Sequence, residues 1–245
     1  MRAAVTVTGL IGVALLAGCG KYGPNGPDLS LGGYYTINIT PSGASAANSA
    51  FAPVAENGRG WFVDSDGDAV YFVNSVRDGN LLNGVYRGYA STVFSDGQPV
   101  VTGELTGSIE ERSTVTGTAL SSLGTAPFVW QYQAAAYEIP ASFVVLAGSY
   151  QYNVGSIDVT ITIDGNGAVT GTDSDACVLN GQFTIPDRGK NAYSLTATNQ
   201  CPGAPLQTFT GLATYLNQDG ATPARILAGY HDGASYWALV TGQRL

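Results

Sequence analysis

Ten Asx-Gly pairs divide the chain downstream of Leu31 into short segments. An Asp or Asn followed by Gly supplies the positive φ angles that two-residue hairpin turns need. Between the pairs, polar and apolar residues alternate, as in Val159-Thr160-Ile161-Thr162-Ile163, and no segment after the N-terminal apolar run has helical periodicity. The pattern predicts an all-β, antiparallel meander. The Asx residues of the ten pairs are Asn57, Asp66, Asp78, Asn83, Asp96, Asp164, Asn166, Asn180, Asp219 and Asp232.

An internal repeat indicates two β modules. Leu31–Tyr35 and Leu146–Tyr150 both read Leu-x-Gly-x-Tyr, while Leu82–Tyr86 and Leu179–Phe183 both read Leu-Asn-Gly-x-aromatic. A proline interrupts the strand pattern at Ile139-Pro140-Ala141, where we place the module boundary. The predicted organisation is a signal peptide over 1–18, an acylated tether over 19–30, an N-terminal module over 31–140 and a C-terminal module over 141–245.

The C-terminal module is predicted to contain eight strands. Short loops and an even strand count favour an up-and-down barrel, which leaves no exposed sheet edge. The expected architecture is one or two small barrel modules, lipocalin-like in plan, with a sandwich as the alternative. The predicted strands are 147–153, 156–164, 167–173, 177–185, 190–198, 206–215, 223–230 and 235–241.

The N-terminus has the order of features of a bacterial lipoprotein signal. Met1-Arg2 is a short basic segment, and the apolar run Leu10–Leu15 is too short to span a bilayer. Leu16–Cys19 resembles the lipobox. This resemblance implies lipid transfer to the Cys19 sulfur, cleavage between Gly18 and Cys19, and N-acylation, for example by palmitate. An ordinary secreted protein is the alternative.

Two further features bear on where the lipoprotein would be attached. The residue after the lipobox cysteine is Gly20 rather than Asp, which by the sorting rule for such lipoproteins implies the outer membrane. The Gly- and Pro-rich segment 20–30 is predicted to be a flexible tether. Acyl chains are then the expected membrane attachment, since more than one chain is needed for stable anchoring.

The C-terminal half carries a second resemblance. Leu146–Tyr150, the Gly-rich turn after an alternating strand, Val169–Thr172, Cys177 and Cys201 together resemble a β-domain of proteobacterial lipoproteins that has no assigned function. At the level of fold the plan is similar to lipocalin and transferrin-binding-lipoprotein barrels. Fold likeness of this kind implies no particular ligand.

Cys177 and Cys201 are expected to form a disulfide. If Cys19 is acylated, two cysteines remain in an oxidising compartment, and a single bridge is the simplest pairing. A metal site built from two cysteines and one distant histidine, without a Cys-x-x-Cys motif, fits the sequence less well.

Charge excludes one class of partner and leaves one weak metal candidate. With 10 Lys and Arg against 18 Asp and Glu, the chain has no basic footprint for nucleic acid.

Asp64, Asp66 and Asp68 could offer oxygen ligands to Ca²⁺. Ala69 and Ser75, however, stand where a calcium loop of the EF-hand type needs Gly and Glu, so a hairpin turn is the favoured interpretation.

Catalytic machinery is weakly indicated. His231 is the only histidine and precedes Asp232, but the chain has no Gly-x-Ser-x-Gly elbow to supply a nucleophile. Glu104 and the pair Glu110-Glu111 are interpreted as solvated strand residues. With no phosphate-binding or dinucleotide fingerprint present, we expect no cofactor and no enzyme activity.

Binding is therefore the predicted activity, and the sequence leaves the ligand open between a small lipophile, a glycan and an envelope protein. Aromatic side chains punctuate the strands and could fill the cores or line a pocket. A structural or accessory role in an envelope assembly is the alternative, and an envelope hydrolase using His231 comes third. The aromatics are Trp61, Tyr71, Tyr86, Trp130, Tyr132, Tyr230, Tyr236 and Trp237.

Overall fold

In the computed structural model, the described part of the chain forms sixteen strands, arranged as two closed antiparallel barrels of eight strands each. The structure describes residues 31–40, 48–63, 69–154, 156–217, 223–233 and 237–245. For residues 48–51, 237 and 239 it describes the backbone alone. The strands of the first barrel are β1 (Gly33–Ile39), β2 (Asn48–Val54), β3 (Arg59–Val63), β4 (Ala69–Asp78), β5 (Leu81–Ala90), β6 (Val100–Glu110), β7 (Thr114–Ser121) and β8 (Gly124–Tyr132).

The second barrel follows a short linker that contains two one-turn helices, α1 (Ala134–Tyr137) and α2 (Phe143–Leu146). Its strands are β9 (Gly148–Val154), β10 (Ile157–Ile163), β11 (Ala168–Asp173), β12 (Val178–Thr184), β13 (Tyr193–Gln200), β14 (Gln207–Leu216), β15 (Arg225–His231) and β16 (Trp237–Arg244). In both barrels the strands follow one another in chain order, and the first pairs with the last. The predicted all-β class and barrel architecture are confirmed.

The two helices were not predicted, because a single turn is too short to show helical periodicity. Helix α2 begins after Ser142, whose side-chain Oγ accepts a hydrogen bond from the backbone N of Val144 at 3.2 Å. This is ordinary N-capping by serine. Neither helix, nor any other in the described part of the chain, is long and apolar enough to cross a membrane.

Each barrel has its own core, built from the inward half of the alternating pattern. Ile37, Leu105 and Trp130 are among the buried residues of the first barrel, while Ile163 and Tyr193 belong to the second. Threonines fill many outward positions, as in the β10–β11 pairs Thr160–Thr172 and Thr162–Thr170. Such branched polar residues suit the solvated face of a strand.

The Leu-x-Gly-x-Tyr repeat marks the same structure in both barrels. Tyr35 and Tyr150 lie on the first strand of each barrel, and both rings are buried. The Tyr35 hydroxyl donates to the Leu31 carbonyl at 3.0 Å, and the Tyr150 hydroxyl donates to the Leu146 carbonyl at 2.7 Å. Burial raises the pKa of Tyr150 to about 12, so this hydroxyl keeps its proton and remains a donor.

The Leu-Asn-Gly-x-aromatic repeat, in contrast, does not mark equivalent strands. Leu82–Tyr86 lies in β5, the fifth strand of its barrel, whereas Leu179–Phe183 lies in β12, the fourth strand of the other. The turn predicted at Asn83-Gly84 is also wrong, and at Asn180-Gly181 the predicted strand 177–185 is confirmed instead of the turn. Both pairs lie inside strands, where a Cβ at Gly181 would stand 2.8 Å from the Thr196 carbonyl oxygen. Close approach of a neighbouring strand explains these glycines.

The predicted disulfide between Cys177 and Cys201 is present. It joins the β11–β12 turn to the segment that follows β13, at the end of the second barrel away from the linker. The Asp173 carboxylate accepts hydrogen bonds from the backbone N atoms of Asp175 and Cys177, which holds the turn in place. Although Asp173 lies close to both sulfurs, the disulfide leaves no thiolate to bind a metal.

The barrels pack against each other through Trp61. This residue points outward from β3, yet its side chain is fully buried. Its indole N donates to the Leu212 carbonyl of the second barrel at 2.8 Å. Gly229 lies beneath the ring, and a Cβ there would stand 2.7 Å from Trp61 ring atoms. Leu227 and Tyr89 belong to the same buried cluster, so the interface is an apolar core in its own right.

The linker fixes which ends of the barrels lie together. The Asn191 side chain donates to the Ala136 carbonyl at 2.9 Å, and Lys190 forms a 2.7 Å ion pair with Glu138. These contacts join the linker, which leaves the first barrel, to the β12–β13 loop of the second. The ends of both barrels that face the linker, called here the linker end, therefore lie on the same side of the molecule, and residue 31 enters there.

Candidate functional site

A cleft of about 980 Å³ lies between the two barrels, beside the Trp61 interface. One wall is the outer face of the first barrel, where successive strands bring their outward residues into rows. In the row nearest the cleft mouth, the exposed side chains combine charge, amide and apolar groups. That row consists of Arg59, Asn74, Val85, Glu104 and Leu120.

A second row forms the inner part of the same wall. It begins at the buried ring of Trp61 and continues across β4 and β5 through Phe72 and Arg87 to Thr102. The Phe72 ring packs edge-on against Tyr89, with ring centroids 5.9 Å apart. The inner wall therefore has aromatic rings at Trp61 and Phe72 and a cation at Arg87.

The opposite wall belongs to the second barrel and presents hydroxyl groups. Thr196, Thr210 and His231 form one cross-strand row over β13, β14 and β15. Ser194 lies in the neighbouring row. Threonine and serine hydroxyls both donate and accept hydrogen bonds, so this wall can match a ligand that carries many polar groups.

His231 is held in one tautomer at the edge of this wall. Its Nδ1 accepts a hydrogen bond from the backbone N of Gly233 at 3.0 Å, so in neutral imidazole the proton is on Nε2. The ring centroid lies 4.4 Å from that of Phe72. Burial lowers the pKa of His231, and Arg87 and Arg59 lower it further against the opposing effect of Asp232. His231 is therefore a neutral hydrogen-bond donor at pH 7.

Arg87 crosses from one barrel to the other. Its Nη1 donates to the Gly233 carbonyl at 3.2 Å, and its guanidinium carbon lies 5.4 Å from the centroid of the Tyr89 ring. These contacts orient the guanidinium at the inner wall. Arg59, at the mouth, is exposed. With Glu104 as the one carboxylate among the described lining residues, the cleft is a cationic site in an acidic chain.

The second barrel also encloses a cavity, but a small one. Its volume is about 60 Å³, and its lining is mainly apolar, with Ile161, Val169 and Phe209 among the contributing side chains. Ligand pockets commonly measure about 300–1,000 Å³. The barrel interior therefore has room for a few atoms, whereas the inter-barrel cleft has the size of a ligand site.

The residues singled out from the sequence are dispersed. Cys19, Gly18 and the candidate calcium ligands Asp64, Asp66 and Asp68 lie outside the described residues. Glu104 lines the cleft, while Glu110 ends β6 at the linker end, about 20 Å along the strand by the rise per residue. His231 and Glu104 thus share the cleft, but Glu110 and Glu111 are not part of it.

Most of the predicted aromatics serve as packing. Trp130 is buried in the first barrel, Tyr86 is 8% exposed and Trp61 forms the interface. Tyr71 stacks on Phe62 with ring centroids 4.6 Å apart. Tyr132 donates to Glu138 at 2.6 Å in the linker, and Tyr230 packs edge-on against Phe209. Tyr236 and the Trp237 side chain lie outside the described residues.

Sequence reasoning missed Arg59, Arg87 and Phe72 as site residues. A local signal does exist, because Gly60–Val63 and Val70–Val73 are apolar at successive positions rather than alternating. Strands that are apolar on both faces are buried on both faces. That pattern could have indicated a packed outer surface, although not the barrel it packs against. Comparison with protein families, curated proteins and solved structures gave no match to this chain.

Proposed function

We propose that the protein is an outer-membrane lipoprotein, attached through acyl chains on Cys19, that binds an acidic glycan in the inter-barrel cleft without catalysing a reaction. The cleft carries the binding part of the proposal, since its volume of about 980 Å³ suits a ligand of several sugar rings. The lipobox at Leu16–Cys19 supports the anchor.

The chemistry of the lining supports a polar, negatively charged ligand. Arg59 and Arg87 can donate charge-assisted hydrogen bonds to carboxylate or phosphate groups. The His231 Nε2–H and the hydroxyls of Thr196 and Thr210 can pair with sugar hydroxyls. Exposed apolar side chains at the mouth, including Val85 at 55% and Leu120 at 52%, can cover the apolar face of a sugar ring.

The geometry favours this site over a lipophile carried inside a barrel. A cavity of about 60 Å³ has no room for an acyl chain or a porphyrin-sized molecule.

Replacing the cleft arginines should weaken glycan binding. Arrays of acidic and neutral envelope oligosaccharides would identify the best acidic ligand, and calorimetry would then measure its Kd. We expect Arg87→Gln to raise Kd about tenfold to a hundredfold, as loss of a hydrogen bond to a charged group does. Arg59→Gln should have a smaller effect in the same direction, because Arg59 is exposed at the mouth.

Two comparisons make this measurement specific. Arg188→Gln removes an exposed charge at the linker end and should leave Kd unchanged. Arg59→Gln matters because, among the described residues, no hydrogen bond or ion pair joins Arg59 to the second barrel, so the substitution removes a charge near His231 without breaking a bond across the interface. Equal binding of neutral and acidic glycans, or equal Kd for all three variants and the parent, would contradict an acidic ligand in the cleft.

A further inference from the structure

Charge is distributed unevenly along the barrel axes. Of the eight Lys and Arg residues in the described part of the chain, seven lie at the linker end, among them Arg59, which also lines the cleft, and Arg87 lies further along the cleft wall. The seven are Arg59, Arg77, Arg112, Arg188, Lys190, Arg225 and Arg244. Each is at a strand terminus or in a loop on the side where residue 31 enters.

The opposite end, called here the distal end, is acidic. Among described residues it carries five carboxylates and no Lys or Arg. The five are Asp96, Asp158, Asp173, Asp175 and Asp232. At the linker end the seven cationic side chains face an equal number of described Asp and Glu side chains, so these side chains are neutral in sum. An anionic surface would therefore repel the distal end and accept the linker end.

The linker end also exposes apolar side chains. Val144 is 81% exposed, Val145 is 40% exposed and the C-terminal Leu245 is 73% exposed. Arg244, which precedes Leu245, links the C-terminal segment to the linker. Its Nη2 donates to the Ala147 carbonyl at 2.6 Å, and its Nη1 donates to the Val145 carbonyl at 3.3 Å. The backbone N of Leu245 donates to the Ser149 carbonyl at 3.0 Å.

The first barrel adds two exposed apolar side chains to the linker end. Val76 is 65% exposed and Leu81 is 56% exposed, and both lie at the β4–β5 hairpin on the same side. We define the linker-end surface as Val76, Leu81, Val144, Val145 and Leu245 together with the exposed arginines Arg112, Arg188 and Arg244. Exposed apolar side chains at the same end as arginines are typical of surfaces that rest on a lipid headgroup layer.

We propose that the linker-end surface lies against the membrane, with anionic lipid headgroups between its arginines and the distal end facing away. This inference rests on the proposed acylation of Cys19. The twelve residues from Cys19 to Ser30 can span at most about 40 Å before Leu31 enters the first barrel at the linker end. The anchor is thus attached at this end of the molecule and not at the distal one.

The proposed orientation also places the ligand site. The cleft lining extends from Arg59 at the linker end to His231 near the distal end, so membrane contact at the linker end would leave the part around His231 accessible. Glycan chains that rise from or lie above the membrane could then enter from the side.

Depth-dependent fluorescence quenching tests the orientation. Val144→Trp places a reporter on the linker-end surface, and Val93→Trp places a matched reporter at an exposed position of the β5–β6 loop at the distal end. The acylated full-length variants would be bound to vesicles of anionic and zwitterionic lipids that include nitroxide-labelled lipid. After subtraction of the parent signal, quenching at position 144 should be several-fold greater than at position 93. It should decrease in vesicles without anionic lipid.

Each outcome has a distinct meaning. Equal quenching at the two positions would overturn the proposed orientation, whether the protein moves freely on its tether or has its linker end covered by a protein. Flotation of the same preparations tests the anchor separately. Acylated protein should float with vesicles in high salt and Cys19→Ala should not. If Cys19→Ala floats equally well, the proposed lipoprotein function fails, independently of the orientation.

Discussion

Replacing Trp61 with alanine is expected to lower the free energy of unfolding by about 3–5 kcal/mol, the range for truncating a large buried aromatic residue. Trp61 is fully buried between the barrels, and its indole donates to the Leu212 carbonyl at 2.8 Å. Truncation would leave a cavity above Gly229 and remove the donor from a buried carbonyl. Equilibrium unfolding in urea measures the change, and separate transitions for the two barrels are expected.

Trp61→Phe separates the two parts of this effect. It keeps most of the buried apolar surface and loses the indole hydrogen bond, so a smaller loss of about 1–3 kcal/mol is expected. Trp130→Phe is the matched control, because it removes an indole from the core of the first barrel without changing the interface. If Trp61→Ala unfolds in one transition with a loss of about 1 kcal/mol or less, the interface is not the apolar core described above.

Removing the disulfide is expected to have the second largest effect. The residues Cys177 and Cys201 are 24 apart in sequence, and closing a loop of this length stabilises a folded protein by about 3–4 kcal/mol in the chain-entropy description. The double substitution Cys177→Ala with Cys201→Ala should therefore lower the free energy of unfolding by this amount. Urea unfolding under oxidising conditions is the measurement.

Reduction provides the control for the cysteine variant. Adding dithiothreitol should destabilise the parent by about the same amount and leave the double variant unchanged, because the chain-entropy effect depends only on the cross-link. A parent protein whose stability does not respond to reduction would show that the bridge contributes nothing. If the double variant were destabilised but reduction of the parent had no effect, the loss of stability would come from the packing of Cys177, which is 3% exposed, and not from the cross-link.

The barrel architecture could be predicted because its determinants are local. Alternation in segments such as Val159–Ile163 places one face inward, and Asx-Gly pairs at Asn57 and Asp78 supply turns in which Gly58 and Gly79 have positive φ. Glycine alone does not make a turn, however. Gly84 and Gly181 lie inside strands, because a closely curved barrel also needs inward positions without a side chain.

The cleft could not be predicted because it depends on contacts between distant segments. Trp61 and Leu212 are 151 residues apart, and Arg87 and Gly233 are 146 apart. No spacing rule in one sequence links such pairs. His231 was noticed for its chemistry, but its partner Phe72 and the arginines that lower its pKa come from the other barrel. The predicted catalytic and metal candidates followed local residue type, which carries no information on how the barrels pack.

The most direct test of the account asks where a ligand binds. Native mass spectrometry of residues 20–245, secreted from the native host without acylation, would detect bound mass that is lost on denaturation. Thr210→Trp would fill the cleft, and Ala197→Val would fill the cavity of the second barrel. We predict a bound glycan mass in the parent and in Ala197→Val, and its loss in Thr210→Trp. Bound mass lost only in Ala197→Val, or no bound mass in the parent, would contradict ligand binding in the cleft.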